Sequence, residues 1–146
     1  MIRRALAAGA VALALSACGS AAPSASRLRA QATGVCRSAL IQTSRIEPPA
    51  TPGQTASFLR RGVAALAPEL AQLRRLHPST EEAGDYADAL DAMGRELAIL
   101  TASIHALDRG ADPLGAIDTL QHTLTPVEAR EEAAWRTLNI PACANR

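Results

Sequence analysis

The chain has 146 residues, the length of about one domain. Thirty-three are alanine, only Phe58, Tyr86 and Trp135 are aromatic, and all fifteen basic residues are arginine, for a net charge of +1. So few aromatics exclude a β-sandwich core and a base-stacking surface. The near-neutral charge removes the electrostatic case for a nucleic-acid partner.

Residues 1–17 read as a targeting segment. Arg3 and Arg4 form a positive start, and Ala5 to Leu15 an uncharged apolar stretch of eleven residues. That is the length of a signal-peptide core and too short to span a bilayer. Leu15-Ser16-Ala17-Cys18 then resembles the lipobox of bacterial lipoproteins: an apolar residue, two small ones and a cysteine. The resemblance implies cleavage before Cys18 and a diacylglyceryl group on its sulfur. The plainer alternative is an ordinary cleaved signal peptide followed by a cysteine. Arg3-Arg4 invites a twin-arginine export reading, but the polar residue before it and the bulky apolar pair after it are missing. Two acyl chains hold a protein at a membrane where one does not. The expected mature chain starts at Cys18; without Arg3 and Arg4 it carries 13 arginines against 14 acids. Residues 18–26, rich in Gly, Ser, Ala and Pro, read as a lipidated flexible tether, and 27–146 as the folded domain.

A 3-4 apolar repeat runs through most of that domain, the mark of helices packed along a seam. Segment one, about Ser26 to Ser44, carries Leu28, Ala32, Val35 and Ala39, and Pro48-Pro49 lies beyond its end. Segment two starts with Thr51 as N-cap, Pro52 in first position and Gln54 three residues after the cap. Its stripe is Leu59, Val63, Leu66, Leu70, Leu73 and Leu76; the phase runs through Pro68, which predicts a kink. Segment three opens on Ser79-Thr80-Glu81-Glu82 and carries Tyr86, Leu90, Met93, Leu97, Leu100, Ile104 and Leu107 up to Arg109-Gly110. Segment four, capped by Asp112-Pro113, carries Leu114, Ile117, Leu120, Leu124, Val127, Ala134 and Leu138. It is expected to be kinked or split at Pro126. Its repeat asks for a core residue at 131 and finds Glu131. A phase shift at Pro126 would turn that carboxylate outward; the sharper alternative is a buried, partnered carboxylate. Four long segments with short loops predict an all-α fold, an antiparallel up-down-up-down four-helix bundle.

With Cys18 taken by lipid, an exported protein in an oxidising compartment leaves Cys36 and Cys143 to pair. The expected topology brings the start of the first helix and the end of the fourth to one end of the bundle. The Leu138 to Cys143 tail reaches back to Cys36, with Asn139 as a left-handed cap, Ile140 as its apolar contact and Pro141 blocking continuation. The rival, a redox couple of free thiols, lacks the C-x-x-C spacing. The Cys36 helix, the Pro48-Pro49 loop, the leucine-rich middle and the closing Leu138-Asn139-Ile140-Pro141-Ala142-Cys143 resemble small exported helical proteins and lipoproteins of actinobacteria. Asn139 stands where those chains usually have glycine. The resemblance implies the architecture and the disulfide, and no activity.

The chemistry-bearing residues are dispersed. His77 and His105 are separated by about 40 Å along segment three, beyond any metal's reach. His105 and His122 are offset on adjacent segments, and neither Glu-x-x-His nor C-x-x-C-H occurs. No metal and no cofactor is therefore expected. The acids Glu81, Glu82, Asp85, Asp88 and Asp91 read as dipole-compensating charge at a helix start. Glu128, Glu131 and Glu132 with Arg130 and Arg136 read as a solvated face. Gly-x-Ser-x-Gly, Ser-x-x-Lys and phosphate-binding glycine loops are missing, so no catalytic residue is assigned and no enzyme is expected. The expected protein is a non-catalytic, lipid-anchored interaction module on the extracytoplasmic side of the cell membrane, with another envelope protein as partner. The alternative is a carrier or sensor of a small apolar ligand.

Overall fold

Residues 24–144 are described by a computed structural model, and no strand occurs among them. The helices are α1 (Ala25–Thr43), α2 (Thr55–Leu73), α3 (Ala83–Asp108), α4 (Pro113–Thr137) and the short α5 (Pro141–Ala144); a 3-10 turn (Pro52–Gln54) leads into α2. The expected signal peptide, the lipobox and Cys18 lie outside the described residues.

Side-chain caps fix two of the four long-helix starts. Ser24 Oγ accepts from the Arg27 N–H at 3.3 Å, so Ala25 and Ser26, expected to be tether, are already helical. Asp112 Oδ2 accepts from the Gly115 N–H at 2.7 Å, with Pro113 in first position. At the other two starts the expected caps are replaced. The Thr51 hydroxyl does not cap; Gln54 Oε1 accepts from the Ala50 N–H at 2.8 Å, and Thr55 Oγ1 donates to the Pro52 carbonyl at 2.7 Å. Ser79 Oγ donates to Glu82 Oε2 at 2.8 Å, because a carboxylate only accepts, and α3 begins after that turn at Ala83.

Two helix ends close the same way. Gly110 (φ 90°) and Asn139 (φ 57°) are left-handed; their N–H groups bond to Leu107 and Arg136 carbonyls at 3.0 and 2.9 Å. The next residues, Ala111 and Ile140, reach back to Ala106 and Trp135 at 3.1 and 3.0 Å. These are Schellman turns, and Asn139 tolerates the left-handed region as its short amide side chain permits. Ile140 is fully buried.

α2 and α4 run unbroken through Pro68 and Pro126, so the expected split of segment four does not occur. Both prolines are exposed, as are Ala64 and His122, whose carbonyls lose a helical donor. At such exposed positions a carbonyl without its helical donor can turn to solvent, so the helix continues.

The buried residues form two cores. The first unites Leu28, Ala32 and Cys36 of α1 with Leu70, Leu73, Tyr86, Ala89, Met93, Ala134, Trp135, Leu138, Ile140 and Cys143. The second is Leu59, Leu100, Ile104 and Leu120, flanked by partly buried Phe58, Val63, Leu66 and Leu124, and contains no residue of α1. α1 packs on α2, α2 on α3, and α3 most extensively on α4. α1 and α4 share few close backbone contacts; α5 packs against both. Of α1's buried residues only Leu28 is large, a side chain worth about 1.5–3 kcal/mol when fully buried. The expected disulfide reinforces that contact: Cys36 and Cys143 sulfurs lie 1.96 Å apart, with Cα atoms at 5.1 Å and a separation of 107 positions in sequence. Arg29 adds a polar latch, its Nε donating to the Leu138 carbonyl at 3.0 Å and Nη2 to Glu82 at 3.4 Å.

Candidate functional site

A groove of about 610 Å³ lies between α1 and α4. Thr43 of α1 lines it, with Thr125, Glu128, Ala129, Glu131 and Glu132 of α4. Leu66 of α2 and Glu96 of α3 also line it, and Cys143 and Ala144 of α5 close it beside the disulfide. The concavity is an acidic surface over a partly apolar floor.

Glu131 is its most constrained carboxylate. It is 3% exposed, and its Oε1 accepts the Trp135 indole N–H at 3.0 Å, one helical turn along. The outward rotation expected at Pro126 does not happen. α4 stays continuous, so the apolar phase carries position 131 inward, as the sharper alternative held. Glu132 does face the solvated side and pairs with Arg136.

Behind Glu131 the contacts pass to two other helices. Trp135 meets Tyr86 edge-to-face, with ring centroids 5.8 Å apart at 79°. The Tyr86 hydroxyl donates to the Leu73 carbonyl at 2.7 Å, a second bond to an acceptor at the end of α2 that also takes the Leu76 N–H at 2.9 Å. Burial pushes the Tyr86 phenol up to about 12, since the phenolate would lose its hydration.

Glu69 of α2 is also buried, at 2% exposure. It stands three residues after Leu66 and four before Leu73, spacings that put it on the apolar side of the helix. That spacing was the available signal for it, as the demand of the repeat was for Glu131. Nothing in the residue pattern marked the Tyr86–Trp135 contact, which joins different helices.

The histidines stay apart. His77 lies in the α2–α3 connection, His105 is exposed on α3, and His122 is exposed on α4 beside Asp118, 3.6 Å away. Among the described residues no group of three or more His, Cys, Asp or Glu side chains is arranged to hold a metal ion, and no helix is long and apolar enough to cross a membrane.

A second concavity, of about 600 Å³, runs between α3 and α4 and is mainly apolar, with Ile99, Ala102, Ala106 and Ala116 along it. No protein-family model, curated protein or solved structure matches the chain.

Proposed function

We propose that the chain is a non-catalytic, lipid-anchored protein of the cell envelope, held at the extracytoplasmic face of the membrane through Cys18. Its helical domain, an antiparallel up-down-up-down four-helix bundle completed by α5, is a module that binds another envelope protein. The observation that carries this reading is the Cys36–Cys143 bridge, because such disulfides persist in oxidising compartments outside the cytosol. The signal-peptide pattern and the lipobox-like Leu15-Ser16-Ala17-Cys18 support the same compartment. The order of helix contacts, and the pairing of α1's residues with the second half of α2, support the antiparallel topology. The left-handed Asn139 and closing Cys143 fit the likeness to small exported actinobacterial helical proteins.

Metabolic labelling with palmitate tests the anchor: wild-type protein takes up label, and Cys18→Ala does not. An unlabelled wild type, or one retaining residues 1–17, overturns the reading. In vivo cross-linking tests the module and should recover a discrete envelope protein.

The apolar concavity between α3 and α4 favours a second reading, a carrier of a small apolar ligand. A carrier purifies with bound lipid or gains thermal stability from apolar ligands by mass action; an interaction module does neither.

A further inference from the structure

We infer that the Cys36–Cys143 disulfide is a redox clasp for α1: reduction by a dithiol undocks α1 and α5, while α2, α3 and α4 stay folded around the second core. Three observations converge. The second core is built wholly from α2, α3 and α4, so it does not need α1. α1 brings one large buried side chain, Leu28, to the first core; its other buried residues are alanines and Cys36, and Leu40 and Ile41 near its end are exposed. α1 shares few close backbone contacts with α4, meeting it through the Arg29 bond to Leu138 and the first core, while α5, which the disulfide ties down, packs against both.

The sulfurs themselves are buried, but Cys143 is among the residues that line the groove between α1 and α4. A small dithiol attacks through that groove. One of its thiolates displaces a cysteine sulfur to give a mixed disulfide, and its second thiolate then displaces the other. The Cys36–Cys143 bond is thereby reduced to two thiols by two electrons and two protons, and the dithiol leaves as its own disulfide. Neither step depends on the lipid anchor.

The test uses the full disulfide-bonded chain with excess dithiothreitol at neutral pH, without denaturant. Thiols are counted by alkylation, and hydrogen exchange is followed helix by helix. The expected result is two new thiols, a loss of protection over residues 25–43 of at least about tenfold, and unchanged protection in the α3 and α4 segments of the second core. Three results overturn the inference: a bridge that resists the dithiol, an α1 still protected once both thiols are free, or all helices losing protection together. The Cys36→Ser, Cys143→Ser double variant should show the same pattern without reductant, and wild-type protection of its α1 also refutes the clasp.

Discussion

Trp135 donates its indole N–H to the carboxylate of Glu131, one turn earlier on α4, and both side chains are buried. The bond stays within one helix, yet it joins the wall of the groove to the centre of the first core. Removing the acceptor leaves a buried donor without that partner. Glu131→Ala should lower unfolding stability by about 1–3 kcal/mol, and Glu131→Gln, whose amide oxygen still accepts, by less. Urea unfolding followed by circular dichroism measures both, and equal losses would show that the hydrogen bond is not the cause.

Tyr86 makes stability depend on alkaline pH. Its phenol is raised from 10.0 to about 12 in the folded chain, so the folded state favours the protonated form. The stabilisation is therefore full below pH 10 and disappears as pH rises from 10 through 12. The loss is on the order of 2 kcal/mol. Tyr86→Phe should be less stable at pH 7 by about 0.5–1.5 kcal/mol, for the lost bond to Leu73. It should also lack this alkaline slope, so denaturant midpoints at pH 9 and 12 separate the two effects. A slope retained in the variant would assign it to other groups.

Asn139 holds a left-handed backbone, φ 57°, at the turn between α4 and Ile140. Asn139→Val forces a β-branched residue into that region and should cost on the order of 1–3 kcal/mol. Asn139→Gly should leave the melting temperature unchanged or raised, since glycine has no Cβ to strain. The reverse order in calorimetry would contradict the geometry.

Arg29 ties the start of α1 to the end of α4 and to Glu82. Its side chain is 42% exposed, so the ion pair itself contributes little in water. The Nε bond to the Leu138 carbonyl is the larger part, because it supplies a donor to a carbonyl at the end of α4, where intrahelical donors run out. Arg29→Ala should destabilise by about 1 kcal/mol, nearly independent of salt. A loss that vanished in 1 M salt would point to the Glu82 pair instead.

Much of the fold was legible because it is written locally. The Asp112 cap, the Gly110 stop and the left-handed Asn139 depend on a few neighbouring residues, and the leucine spacing marked the faces that become buried. The site was legible only in part. Cys36 and Cys143 could be paired by elimination, but Glu131 turned on whether Pro126 would reset the helical phase. That depends on solvent reaching the His122 carbonyl, a property of the assembled surface. The Thr51 and Ser79 boxes show the same limit: several local acceptors compete, and tertiary partners such as Arg29 at Glu82 accompany the choice.

On α2 and α4, Glu69 and Glu131 fall between residues of one core and residues of the other. Alanine-leucine seams repeat every turn, and taken alone they would accept a helix displaced along its axis by one turn. With a carboxyl group at that level, such a displacement carries a polar side chain away from its partners into leucine and methionine, where burying it costs more than an apolar mismatch. Substituting either acid by leucine should therefore leave helices whose apolar stripes tolerate several alignments with less to discriminate among them.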